Sequence, residues 1–142
     1  MEIVIATHGE LAGGLASACS MICGGESLQG IHLVTLKDGG KGIAEFNKQI
    51  HLLADMLQGK PVLILTDLFG ATPANVCLRE FRREQHRIIC GVSLPCLLEA
   101  VLNRSAKDVD ELADQILQAG MDGLRKFYFE GNHEGEEEDI FV

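Results

Sequence analysis

The chain has 142 residues, 46% of them hydrophobic and 23% charged, which excludes collagen-like, coiled-coil and wholly disordered classes. One domain is expected at this length, able to bury about two-thirds of its unfolded surface without metal or disulfide staples. Twelve Lys and Arg against 21 Asp and Glu give a net charge of −9, a poor balance for non-specific nucleic-acid binding.

Glu2–Ala6 is a short apolar run with branched residues; it predicts a strand buried on both faces, ending at Thr7-His8-Gly9. A helix over Leu11–Cys23 follows, closed by Gly24-Gly25, and Ile31–Leu36 is the next strand. Beyond the loop from Lys37 to Gly42, Ile43, Phe46, Ile50, Leu53 and Leu57 recur at helical spacing, an apolar stripe that Gly59-Lys60-Pro61 ends. Pro61–Thr66 predicts a third strand running into Asp67-Leu68-Phe69-Gly70. Thr72-Pro73 reads as an N-cap with proline in the first helical position. The helix it opens runs to about Arg83, with Arg79, Arg82 and Arg83 at the negative pole of the dipole. Arg87–Val92 is a fourth strand and Pro95–Leu102 a short helix. Asp108 and Glu111 stand at capping-box spacing before a helix with Val109, Leu112, Ile116 and Leu117 on one face. Lys126–Phe129 predicts a last short strand.

Six acidic residues (Glu130, Glu134, Glu136, Glu137, Glu138, Asp139) fall in the closing stretch, and removing them leaves the rest of the chain at −3. Residues 1–130 are therefore read as one domain and 131–142 as an acidic, solvated tail, a partner-binding element only second. The five cysteines (Cys19, Cys23, Cys77, Cys90, Cys96) lie mostly in apolar segments and read as reduced, buried thiols. Cys19 and Cys23 share a helix face, but no second pair stands at ligand spacing, so packing is favoured and no metal is expected. The start of the chain carries no basic or long apolar segment, and no apolar run reaches the length of a bilayer span. A cytoplasmic protein is the expectation.

Strand–helix alternation through four buried strands predicts an open parallel sheet with helices on both faces. Every strand leaving toward a helix then ends at one rim. Ligands in such sheets bind at that carboxyl edge, where strand order reverses. With the first and third strands adjacent, His8 and Asp67 face each other across the crevice.

A lone histidine more often caps a helix or bonds a backbone carbonyl. His8, however, stands just beyond a strand and before a glycine, with Asp67 in the equivalent place. A carboxylate on one ring nitrogen fixes the tautomer and leaves the other as an oriented lone pair, fit for a general base or a nucleophile. Asp67 has a blander reading as a cap for the turn at Gly70–Thr72. Gly70, Ala71 and Thr72 enter a helix start whose free N–H groups and dipole favour an anion, and the Thr72 hydroxyl either caps the helix or donates to a phosphate oxygen. Neither a GxxxxGKS/T loop, a GxGxxG fingerprint nor a GxSxG elbow is present. His32, His51, His86 and His133 lack comparable company, and His51 is expected to be packed or at the surface. A histidine nucleophile, an orienting aspartate and an anion-binding helix start point to phosphoryl transfer through phosphohistidine, with no metal or cofactor required.

At these residues the sequence resembles the enzyme IIA component of the mannose family of the bacterial phosphoenolpyruvate-dependent sugar phosphotransferase system. The matching stretches are Ile3-Val4-Ile5-Ala6-Thr7-His8-Gly9, Leu65-Thr66-Asp67-Leu68-Phe69-Gly70-Ala71-Thr72-Pro73-Ala74-Asn75 and Gly91-Val92-Ser93-Leu94-Pro95, in family order over residues 1 to about 130. The resemblance implies that His8 takes a phosphoryl group from the carrier HPr and passes it to a histidine of a IIB partner, for sugar uptake through membrane IIC and IID subunits. It places the family aspartate at Asp67 and the family hydroxyl at Thr72. It also implies a homodimer exchanging a fifth, antiparallel strand, where Lys126–Phe129 would sit. Two features depart from the pattern: Ala71 where glycine is more usual, which narrows the phosphate approach, and the stretch from Gly131. With no fused IIB domain, a separate IIB chain is expected. The alternatives are a phosphotransfer subunit feeding a dihydroxyacetone-type kinase, a regulatory IIA sensor, and a non-catalytic small-ligand module of flavodoxin-like shape.

Overall fold

The computed structural model describes residues 1–106 and 108–130. Strand β1 (Glu2–His8) is followed by α1 (Leu11–Cys23), a 3-10 turn (Gly25–Leu28), β2 (Ile31–Leu36) and α2 (Gly42–Met56). Then come β3 (Val62–Thr66), α3 (Thr72–Glu80), β4 (His86–Cys90), α4 (Leu94–Asn103) and α5 (Val109–Asp122). The strands form one sheet in the order β2-β1-β3-β4, every pairing parallel. The expected α/β architecture is borne out.

Central strands explain the continuous apolar runs. Val4, Ala6, Val62 and Ile64 pack with Val34, Phe46, Ile50, Leu57, Val76 and Cys77 on the face covered by α2 and α3. Ile3, Ile5, Leu63 and Leu65 pack with Cys19, Leu97, Leu112 and Ile116 on the face covered by α1, α4 and α5. A strand covered on both faces has no polar side to alternate with. All five cysteines are free; Cys19, Cys77 and Cys96 are buried, and burial pushes the Cys77 thiol up to about 12.

Strand order also places the rim. From β1 the chain moves outward to β2, then crosses back over β1 to lay β3 on its other side. The order reverses between β1 and β3, whose carboxyl ends carry His8 and Asp67. That is the ligand-binding position of an open parallel sheet.

Several expectations need correction. Helix α3 ends at Glu80, not Arg83, because Phe81 turns inward and is buried. Its N-cap is Ala71, so Thr72 and Pro73 are already helical. On α5 the buried face is Leu112, Ala113 and Ile116, while Leu117 is exposed; Asp108 does cap the helix, accepting the Glu111 N–H at 2.9 Å. Ile43, first of the α2 stripe, is exposed. Among the described residues Lys126–Phe129 pairs with no strand, and Phe127, Tyr128 and Phe129 are exposed. The predicted acidic tail, 131–142, lies outside the described residues.

Candidate active site

His8 is the last residue of β1, and its side chain is 47% exposed against 13% for Asp67. Pairing of Ala6 with Thr66 fixes how far each strand reaches into the rim. Asp67 Oδ2 lies 2.8 Å from His8 Nδ1 and also accepts the His8 backbone N–H at 2.9 Å. The other oxygen, Oδ1, accepts the Leu68 N–H at 2.9 Å. Both carboxylate oxygens are thus held; the blander reading of Asp67 as a cap for the turn at Gly70–Thr72 gives way to a bond with the adjacent Leu68 N–H, made while the other oxygen holds the ring.

Charge follows from these contacts. Burial alone would raise the Asp67 pKa; the backbone and side-chain hydrogen bonds from His8, with its charge, outweigh that and leave it lowered. Asp67 is therefore ionised at neutral pH and can only accept. The proton of a neutral His8 ring must then sit on Nδ1, leaving Nε2 as the lone pair.

The Asp67–Ala71 loop closes on itself. Gly70 adopts φ +79°, a left-handed conformation that side chains disfavour. Its carbonyl accepts from Asn75 Nδ2 at 3.0 Å, and the Ala71 N–H donates to the Leu68 carbonyl at 3.3 Å. No side chain caps α3, so the Thr72 hydroxyl is not spent on the helix, contrary to the blander reading. The first-turn N–H groups carry the positive end of the dipole. Thr66, immediately before Asp67, is fully buried with its hydroxyl unpartnered among the described residues.

Two contributors escaped the sequence reading. Thr7 Oγ1 accepts the Ala12 N–H at 2.8 Å, capping α1 from within the strand. The Gly9 N–H donates to the Leu36 carbonyl at 2.9 Å, binding the His8 turn to the end of β2. The signal for the first was a threonine four residues ahead of a helix start whose own N-cap makes no side-chain bond. Beside His8 opens a cavity of about 440 Å³ lined by Gly9, Leu36, Lys37, Asp38, Gly39 and Ile43.

The remaining histidines sit elsewhere. His51 on α2 bonds Glu80 of α3 at 2.9 Å; with Asp55 it raises the His51 pKa, the Glu80 hydrogen bond being the larger cause. His32 bonds Glu2 at 2.8 Å, next to Lys60. His86 is buried against Phe81. Among the described residues no group of three or more His, Cys, Asp or Glu side chains is placed to hold a metal ion.

Comparison with known proteins adds a family. The family described as "PTS system fructose IIA component" (EIIA-man) matches residues 2–117. The mannose-specific EIIAB component of Escherichia coli K12 is 32% identical over 128 residues, covering 88% of this chain and 39% of that protein. The chain thus spans about two-fifths of the length of that relative. The fructose-specific EIIA component of Bacillus subtilis is 29% identical, covering 82% of this chain and 79% of that protein. Among solved structures, the mannose/sorbose-specific IIA subunit from Enterococcus faecalis superposes with a TM-score of 0.77 at 26% identity, covering 93% of this chain and 98% of that one.

Proposed function

Because this chain belongs to the IIA family of the phosphotransferase system, whose members are phosphotransferases of sugar uptake, we propose that His8 is its phosphoryl-carrying residue. The observation that supports this most is the 2.8 Å contact between His8 Nδ1 and a carboxylate itself held by two backbone N–H groups.

In this reading Nε2 attacks the phosphorus of a phosphohistidine on HPr. A new N–P bond forms as the donor's N–P bond breaks, and the donor ring keeps the electron pair. No proton has to leave: Nδ1 retains its hydrogen, and Asp67 balances the positive charge that the ring gains. Gly70 and Thr72 present backbone N–H groups, and Thr72 its hydroxyl, to the transferring oxygens, whose charge is spread in a loose transition state, while Ala71, its N–H held by the Leu68 carbonyl, shapes the turn between them. The reverse chemistry delivers the group to a histidine of IIB, and from there to a sugar entering through IIC and IID. Mannose, fructose and sorbose are the sugars of its named relatives; the sugar is chosen by the membrane subunits.

Residues 1–130 form the carrier domain and 131–142 the acidic appendage. Among the described residues no helix is long and apolar enough to cross a membrane, in keeping with a cytoplasmic component that meets the membrane only through the transporter. The exposed Phe127, Tyr128 and Phe129 suit a strand exchanged in a homodimer.

The test is incubation with phosphoenolpyruvate, enzyme I and HPr, followed by measurement of acid-labile phosphate on the chain. Wild type should label to near one phosphate per subunit and His8→Ala not at all. Full labelling of His8→Ala would end the proposal.

A further inference from the structure

The phosphoryl group brings about two negative charges to the rim; the positive charge that the ring gains is matched by the ionised Asp67, so the phosphoryl charge itself is left to other groups. Asp38 adds another carboxylate to the wall of the cavity beside His8. Opposing them, the N-terminus of α3 offers only partial positive charge, roughly half a unit. Gly70, Ala71 and Thr72 are moreover not among the residues lining that cavity. The charge is under-compensated unless a cation joins it.

One cation lines the cavity: Lys37, the first residue after β2. Lys60 is paired with Glu2, whereas Lys37 has no ion-pair partner among the described residues. Its main chain is fixed while its side chain is free. The preceding carbonyl, of Leu36, accepts the Gly9 N–H at 2.9 Å, which couples the loop to the His8 turn. Gly42 donates its N–H to the Gly39 carbonyl at 3.0 Å, and it packs so closely under the loop that a Cβ there would collide with the Lys37 carbonyl oxygen. Nδ1 is committed to Asp67, so the nitrogen left free is Nε2, on a ring that lines the same cavity as Lys37.

We propose that Lys37 binds the phosphoryl group carried by His8, its ammonium offsetting the charge of the phosphoryl oxygens and of Asp38. The proposal rests on His8 being the phosphoryl acceptor. Lys37 exchanges no proton and forms no covalent bond; it acts through charge on the group being transferred. A neutral side chain there raises the cost of the phosphorylated form and of the step that makes it.

Labelling by phosphorylated HPr separates this from its alternatives. Lys37→Gln should label about fivefold to tenfold more slowly, the effect expected of an exposed charge about 4 Å away in water. Lys37→Arg should keep most of the rate, and Asp38→Asn should label faster than wild type. Raised salt should slow wild type more than Lys37→Gln. With the donor removed, the isolated phosphorylated Lys37→Gln should lose phosphate faster than wild type. Labelling of Lys37→Gln at the wild-type rate overturns the proposal. So does a higher KM for HPr with unchanged kcat and unchanged phosphate loss, because Lys37 would then be only a docking contact. Failure of the underlying reading looks different: His8→Ala would label normally whatever stood at residue 37.

Discussion

Oδ2 of Asp67 receives both the backbone N–H and the ring Nδ1 of His8, at 2.9 and 2.8 Å. One atom therefore fixes the end of β1 and the orientation of its imidazole together. Asp67→Asn keeps the shape but replaces an acceptor by a group that can turn its NH₂ toward Nδ1. The ring then favours the tautomer protonated on Nε2, and the charge that balanced the phosphorylated ring is gone. Labelling by phosphorylated HPr should fall about 100-fold or more, by analogy with loss of one preorganised electrostatic partner. Acid stability should change as well. The Asp67 pKa is lowered in the folded state, so its contribution is present above the unfolded value of 3.8 and is lost as pH falls through the folded one. Urea midpoints followed from neutral to acid pH should show a shallower decline in Asp67→Asn than in wild type.

Thr72 offers a separation of stability from activity. Were it the N-cap of α3, Thr72→Val would cost about 1 kcal/mol. Ala71 holds that position and no side chain caps the helix. Thr72→Val should therefore melt within about 0.5 kcal/mol of wild type, as surface substitutions away from special features do, while labelling by HPr slows. Thr72→Ser should label normally. A large loss of stability without loss of labelling would make the hydroxyl structural.

The opposite end of the sheet holds a pH-sensitive group. His86 is 7% exposed and among the described residues neither ring nitrogen completes a hydrogen bond, although the Leu57 and Lys60 backbones approach it. Burial, with help from the Arg83 charge, lowers its pKa below 6.5 despite those backbones. Below that pH the unfolded chain takes up the proton first, so stability should fall as pH drops from 6.5 toward the folded value. His51 has the opposite sign: raised by Glu80, it stabilises below 6.5 and loses that contribution as pH rises through its folded value. Thermal melts of His86→Leu should flatten the acid limb, and those of His51→Gln should flatten the neutral one.

What the sequence made legible follows from the range of the interactions involved. Apolar runs such as Val62–Leu65 announce a central strand because burial on both faces is written into consecutive residues. His8 and Asp67 were readable as a pair once the strands were ordered, since parallel topology alone brings their loops together. The end of α3 was not readable: Arg82 and Arg83 continue a helical composition, and only the pocket that receives Phe81 stops the helix at Glu80. The His51–Glu80 bond depends on how α2 packs on α3, and Lys37 matters only through the cavity it shares with His8. Such features arise from tertiary approach, which neither periodicity nor propensity records.

The last prediction concerns Lys126–Phe129. Phe127, Tyr128 and Phe129 are 66%, 75% and 86% exposed, an unusual run of aromatic surface at the end of a chain segment with no strand partner of its own. Among the described residues both outer strands, β2 and β4, leave an edge with no strand partner, and an exposed edge is a template for a strand from another molecule. Reciprocal exchange between two copies would cover these aromatics and satisfy an edge in each sheet. Sedimentation of wild type should therefore give a dimer, and Phe127→Asp combined with Phe129→Asp should give a folded monomer, since neither residue enters the core of its own subunit. The monomer should still accept phosphate on His8, because the His8–Asp67 pair lies within one chain. A wild-type monomer at micromolar concentration, or a double variant that remains dimeric, would rule out the exchange.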